Sequence, residues 1–132
     1  MSEGTASSCG RLRYNLGFAC SGASDVGAIS NQAARKLSRE KTALMCCVAA
    51  IGAGIPDIVE KALGASKIVV IDGCDHDCAK KIMEKAGLMD FAYVQLQLLD
   101  MEKGETPVTD ENIAKVAAVA VDALACHPQA NV

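Results

Sequence analysis

The stretch "KIVVIDGCDHDCAKK", residues 67–81, is the clearest guide to the fold of this chain. It begins with an apolar segment whose charges lie only at its ends, which predicts a buried strand over residues 67–72. Gly73 then turns the chain, and apolar residues recur at helical spacing over residues 79–86. A buried strand that leads into a helix is typical of parallel α/β sheets.

The same alternation runs along the rest of the chain. Strands are predicted over residues 14–20, 42–50, 67–72 and 91–99. Helices are predicted after the N-cap residue Ser24, at Pro56, between the third strand and Gly87, and at Thr109 or Asp110. This βαβαβαβα pattern predicts a three-layer α/β/α sandwich around a mainly parallel, Rossmann-like sheet of about four strands. The first three strands should be neighbours, and the alternating segment 91–99 should lie at an edge.

Length and composition fit one domain in the 132-residue chain. Residues 1–13 are polar enough to predict a flexible tail, and residues 14–132 form the predicted domain. The chain has 13 Lys and Arg against 16 Asp and Glu, without a basic run, which argues against nucleic acid as a partner.

A membrane location is not expected from the sequence. The longest uncharged run, residues 42–56, is too short to span a bilayer and is interrupted by glycines. The N-terminus also lacks the pattern of a signal peptide. We therefore predict a cytoplasmic protein, and in that reducing compartment its seven cysteines indicate metal binding or thiol chemistry rather than disulfides.

Several cysteines are predicted to lie at one edge of the sheet. Cys20 ends the first strand, Cys46 and Cys47 lie near the end of the second, and Cys74 follows the third. The interval from Cys20 to Cys47 is 27 residues, as is that from Cys47 to Cys74, so each returns to the carboxyl edge where sites form. Cys78 lies one helical turn beyond Cys74, so the two should share a face if the helix begins promptly.

Four thiolates at this edge would suit a tetrahedral Zn²⁺ site, because neighbouring strands lie roughly 4.8 Å apart. A divalent ion would also deprotonate thiols that have several aspartates and few cations nearby. Cys46 and Cys47 point to opposite sides of a regular strand, and spacing alone leaves the choice between them open. Cysteine is also a common buried small side chain, so each position taken alone has a structural explanation.

Other residues near these cysteines have simpler interpretations. His76 is favoured as an exposed residue of the first helical turn over a fifth metal ligand or a proton shuttle. Asp72 is expected to accept backbone N–H bonds that shape the turn. Cys126 and His127 are interpreted as a helix end rather than a ligand pair, and Cys9 as an exposed thiol of the tail.

Two phosphate-binding motifs are incomplete. The segment "GASDVGAI", residues 22–29, has the glycine spacing of a P-loop but lacks its Lys and Ser/Thr. The segment that begins at Cys20 has Val26 where a cysteine phosphatase needs arginine, so the charge of the transition state would be unmet.

The segments "ACSGASDVG" (19–27), "CVAAIGAGIP" (47–56) and "VIDGCDHDCAKK" (70–81) resemble the DGC domain family, whose name is the motif Asp-Gly-Cys. The resemblance covers about residues 14–100. It implies zinc binding through four shared cysteines, which by motif match are Cys20, Cys47, Cys74 and Cys78. It leaves Cys46 outside the site.

Two functions follow as hypotheses. The first is a closed four-cysteine zinc site with a structural or metal- or redox-sensing role, because four protein ligands leave no position for water. The second is an enzyme of thiol chemistry, acting on disulfides, sulfur or a thiophilic oxyanion, that uses Cys20 or Cys74 as nucleophile and Cys78 as resolving partner. An iron–sulfur cluster on the same cysteines is a third possibility for the cofactor. A protein partner or a homodimer is left open, since the apolar face of the last helix could pack on the sheet or on a second subunit.

Overall fold

A computed structural model describes residues 13–128, in which strands and helices alternate along the chain. The strands are β1 (Asn15–Ala19), β2 (Leu44–Met45), β3 (Lys67–Asp72) and β4 (Ala92–Gln95). The helices are α1 (Asp25–Arg39), α2 (Val48–Gly52), α3 (Pro56–Leu63), α4 (Cys78–Lys85) and α5 (Asp110–Cys126). A 3-10 helix (Leu96–Leu99) follows β4 directly.

The four strands form one parallel sheet in the order β2-β1-β3-β4. The first three strands are neighbours and β4 lies at an edge, so both sequence predictions are confirmed. Because every connection returns the chain to start a parallel strand, all four carboxyl ends meet at the same edge of the sheet.

Both faces of the sheet are covered by helices. In β1, Leu16 and Phe18 are buried on one face, against residues of α2, α3 and α4, while Ala19 packs on the other. In β3, Val70 and Ile71 alternate in the same way. Helices α1 and α5 cover the second face, where the apolar stripe of α5 packs on α1 and the sheet. The predicted three-layer α/β/α sandwich is therefore confirmed.

Local signals place the helix ends as predicted. The Oγ of Ser24 accepts the amide N–H of Gly27 at 3.0 Å, and this bond caps α1. The Oγ1 of Thr109 accepts the amide of Asn112 at 3.1 Å and caps α5. Pro56 lies in the first turn of α3.

The predicted second strand, residues 42–50, is mostly wrong. Strand β2 contains only two residues, and the amide of Cys46 makes the last bond to β1, with Gly17 O at 2.8 Å. Residues 48–52 form α2 instead, and this helix buries Ile51 in the cluster that contains Leu16 and Phe18 of β1.

Two further boundaries differ from the prediction. Strand β4 ends at Gln95, and the 3-10 helix then leaves Leu98 77% exposed. Helix α4 begins only at Cys78, because Asp77 takes a left-handed conformation with φ 55°. Cys74 therefore lies in a turn before the helix, not on its face.

Some expectations concern parts of the chain outside this description. Residues 1–12 of the predicted tail, with Cys9, and residues 129–132 lie outside the described residues. Over residues 13–128, the helices include none with the length and apolar character that crossing a membrane requires.

Candidate metal centre

The candidate ligands lie at the carboxyl edge of the sheet. Cys20 directly follows β1, Cys47 lies two residues beyond β2, and Cys74 lies two residues beyond β3. Cys78 is the first residue of α4. The topology therefore brings the loops that carry all four predicted ligands to one edge.

The loop after β1 is bound to its neighbours at Cys20. Its amide donates to Ile71 O of β3 at 2.9 Å, and its carbonyl accepts the hydroxyl of Ser30 in α1 at 2.7 Å. The amide of Gly22 lies 3.3 Å from Cys20 Sγ. This N–H group can donate to the sulfur and so helps to fix the position of the Cys20 side chain.

Two glycines allow the cysteine loops to approach closely. A Cβ atom added to Gly73 would lie 2.8 Å from the carbonyl carbon of Val26, in the first turn of α1. A Cβ on Gly27 would overlap the carbonyl oxygen of Gly22. The turn with Cys74 therefore packs backbone against backbone on the start of α1, which no larger residue would permit.

Asp72 links the end of β3 to the start of α4. Its carboxylate oxygens accept the amides of Ala79 at 2.9 Å and Lys80 at 3.0 Å. Asp72 is 1% exposed, and these bonds satisfy its buried side-chain oxygens. The expectation that Asp72 shapes this turn is confirmed, and its bonds set the position from which Cys78 projects.

A second network, which sequence analysis missed, supports the same turn. The hydroxyl of Tyr93 in β4 lies 2.8 Å from Asp72 Oδ2 and 2.7 Å from Asp77 Oδ1. Gln95 Nε2 donates to the same Asp77 oxygen. Burial and then these carboxylates raise the pKa of Tyr93, while the Tyr93 bond lowers the pKa of Asp77. The only sequence signal was that Tyr93 and Gln95 share the polar face of a predicted strand.

No cysteine among residues 13–128 forms a disulfide bond. The thiol of Cys78 shows how several of these groups affect one another. Its pKa is raised by burial and then by Cys20, Asp72 and Cys74, three groups that carry negative charge when ionised. Negative charge on these groups therefore disfavours ionisation of Cys78. A cation at this position would relieve the repulsion.

Cys46 and Cys47 have different surroundings. Cys46 is half-buried against the core beneath α2, α3 and α4, and burial raises the pKa of its thiol. Cys47 is exposed at the N-cap of α2, where its side chain makes no capping bond. Of the two, Cys47 has the side chain that is better placed to bind a metal ion.

A compact ligand group lies in the turn after β3. The ligand atoms of Cys74, Asp75 and His76 all lie within 4.8 Å of one another, and Cys74 Sγ is 3.3 Å from His76 Nδ1. Among residues 13–128, this is the one such group of three or more His, Cys, Asp or Glu residues. Cys20, Cys47 and Cys78 lie outside it. His76 is exposed, as expected, but it precedes the helix and contacts Cys74.

The C-terminal pair serves a different role. Cys126 is the last residue of α5, and His127 Nε2 lies 2.7 Å from Asp90 Oδ1. His127 thus ties the end of α5 to the loop before β4, in agreement with its interpretation as part of a helix end.

Comparison with known proteins gives a family match and a relative. The model of the DGC domain family matches residues 17–120. The "Anaerobic and virulence modulator AnvM" of Pseudomonas aeruginosa is 31% identical over 88 residues, which cover 67% of each chain. No solved structure matches the chain significantly.

Proposed function

The chain belongs to the DGC domain family, and from this premise we propose that it binds one Zn²⁺ through Cys20, Cys47, Cys74 and Cys78. Four thiolates would complete a tetrahedron and leave no position for a reacting water. The proposed role is therefore structural or sensory. Bound zinc would act by joining the loops at this edge of the sheet.

The convergence of Cys20, Cys74 and Cys78 is the observation that carries the proposal. Cys20 and Cys74 both raise the pKa of Cys78, after burial. Thiols from two segments of the chain, the loop after β1 and the turn that leads into α4, are therefore near enough to influence Cys78. A soft divalent cation would suit this donor set.

Cys47 is proposed as the fourth ligand because it is exposed and makes no capping bond. The half-buried Cys46, which packs against the core, lacks that freedom. Binding would have to draw the thiols together, since no three of the four proposed ligands lie within 4.8 Å of one another among residues 13–128.

His76 is a second candidate for the fourth position. Its Nδ1 already lies 3.3 Å from Cys74 Sγ, and three cysteines with one histidine are a common zinc ligand set. The two sets differ in consequence. With His76 as ligand, Cys47 would remain a free exposed thiol.

A sensory role is favoured over a purely structural one. Cys47 and Cys78 are both exposed, so an oxidant or a competing ligand could reach two of the proposed ligands. The relative from Pseudomonas aeruginosa is named as a modulator, which describes regulation rather than catalysis.

The test is elemental analysis of anaerobically purified protein, combined with thiol titration before and after chelation. We expect about one zinc per chain, with four thiols that react only after chelation. Cys47→Ser should weaken zinc binding by at least about 100-fold, because loss of a ligand should cost no less than loss of an outer-shell partner.

Matched controls separate the candidate ligands. Cys46→Ser and Cys126→Ser should each retain one zinc, and so should His76→Ala if Cys47 is the fourth ligand. Loss of zinc in His76→Ala but not in Cys47→Ser would instead establish the set of three cysteines and one histidine. If the purified protein is brown and contains iron, the cofactor is an iron–sulfur cluster and not zinc. Metal-free protein with one rapidly reacting thiol would overturn metal binding in favour of thiol chemistry.

A further inference from the structure

A cavity of about 810 Å³ lies beside the candidate metal centre. Its wall includes Ser21 from the loop after β1, Arg35 and Arg39 from α1, and Cys46 and Cys47 from the loop before α2. This volume lies within the range of about 300–1,000 Å³ that small-molecule sites occupy. The cavity is therefore large enough for a metabolite.

The wall of the cavity is positively charged. Arg35 and Arg39 are one helical turn apart, and no residue that lines the cavity is acidic. Within residues 13–128, neither guanidinium has a carboxylate partner, whereas Lys36 of the same helix pairs with Glu40 at 2.8 Å. Two uncompensated guanidinium groups in one concave surface favour an anionic ligand.

A chain of hydrogen bonds orients the first arginine. Arg35 Nε donates to Asn31 Oδ1 at 2.8 Å, and Asn31 Nδ2 donates to Ser21 Oγ at 2.6 Å. Because Nε is already bonded, the terminal nitrogens of Arg35 remain for a ligand. Ser21 directly follows Cys20, so these hydrogen bonds connect Arg35 to the cysteine loop.

The rest of the wall is largely apolar, with Ala19, Met45, Val48 and Ala49. We propose that the cavity binds a small organic dianion, in which a short apolar body carries either two carboxylates or one phosphate. The guanidinium groups would bind the acidic groups in bidentate fashion, and the aliphatic wall would contact the body. The arginines are not metal ligands, so this inference stands without zinc.

The test is isothermal titration calorimetry of the full chain at low ionic strength, with succinate and ethyl phosphate as dianions. Butyrate and succinamide serve as the singly charged and neutral controls. We expect one site per chain that binds a dianion at least about tenfold more tightly than butyrate. A preference between succinate and ethyl phosphate then identifies the acidic group as carboxylate or phosphate.

Substitutions test the assignment of the arginines. Arg35→Gln and Arg39→Gln should each weaken dianion binding at least about tenfold. Lys36→Gln removes the same charge from the same helix outside the cavity, and it should change the affinity by less than about twofold. Arg39→Lys keeps the charge but loses the planar fork, so its loss should be intermediate. Far-UV circular dichroism checks that each variant is folded.

Two results would overturn the inference: no dianion binding tighter than about 10 mM, or an equal loss in Lys36→Gln. Titration of chelated protein separates this site from the metal. Dianion binding should survive chelation, whereas binding that chelation abolishes and the arginine variants leave intact would mean coordination to zinc instead. Zinc content, measured on the same samples, reports independently on the proposed metal site.

Discussion

Gly73 is the residue on which the approach of two cysteine loops depends. Its missing side chain lets the turn after β3 contact the backbone of α1 at Val26. The glycine of the Asp-Gly-Cys motif thus has a steric role, in addition to the roles of the aspartate and the cysteine. Asp72 binds the start of α4, Gly73 permits the close approach, and Cys74 is the proposed ligand.

Replacing Gly73 with alanine should destabilise the protein. The added Cβ would lie 2.8 Å from backbone, which cannot move as a flexible side chain would, so we expect a loss of about 1–3 kcal/mol in the free energy of unfolding. Urea denaturation measures this loss. Gly52→Ala is the matched control, because its Cβ would make an ordinary contact 3.6 Å from Ile82. An equal loss in both variants would contradict the role of close packing at Gly73.

Helix α1 carries several connections besides its packing on the sheet. Asp25, in its first turn, accepts the amides of Gly104 at 2.9 Å and Thr106 at 3.0 Å. These bonds attach the loop before α5 to the start of α1, next to the cysteine loop. The bond from Gly104, followed by that from Thr106, lowers the pKa of Asp25.

Because the pKa of Asp25 is lowered in the folded protein, its contribution to the free energy of unfolding should depend on pH. The ionised carboxylate is favoured in the folded state, so its contribution is present above the ordinary pKa of 3.8 and is lost as pH falls through the lower folded value. Asp25→Asn should therefore be less stable than the native chain at about pH 7, and the difference should shrink toward about pH 3. Urea unfolding at both values measures it.

Asp122→Asn is the control for this effect, since Asp122 is an exposed residue in the C-terminal half of α5, away from the loop that Asp25 binds. It should unfold like the native chain at both pH values. A stability difference in Asp25→Asn that did not change with pH would show that the carboxylate charge is not the cause. Faster hydrogen exchange at Gly104 and Thr106 would locate the change in the attached loop.

The hydrophobic core and the candidate metal centre lie in different parts of the protein. Two buried clusters, one on each face of the sheet, contain the large apolar side chains. The cysteine loops lie beyond the ends of the strands. Hydrophobic burial therefore stabilises the sandwich independently of the candidate metal centre, in contrast to a small zinc finger.

We therefore expect chelation of zinc to loosen one edge of the molecule without unfolding it. The far-UV circular dichroism spectrum should persist, while Tm should fall by roughly 4 °C for each kcal/mol of lost binding free energy. Hydrogen exchange should increase in residues 20–24, 46–48 and 73–78, and not in β1 or β3. Loss of the far-UV spectrum on chelation would contradict a core that is stable without metal.

Much of this architecture was predictable because it follows from local patterns. The apolar segment of β3, the cap at Ser24 and the proline that begins α3 are short-range signals, and parallel strands return to one edge by topology. Those signals were enough to predict the sandwich and to place Cys20 and Cys74 at the same edge. The role of Asp72 followed in the same way, because its partners lie just beyond it in the chain.

Long-range contacts were not predictable from one sequence. The apolar segment 42–50 gave no sign that β2 would contain only two residues. The contacts of Tyr93 with Asp72 and Asp77 join residues that lie 21 and 16 positions apart. The cavity likewise combines three separate segments, and its charge depends on which carboxylates pair elsewhere. Local propensity and periodicity report on neighbours in the chain, whereas these features depend on which distant groups come within bonding distance after folding.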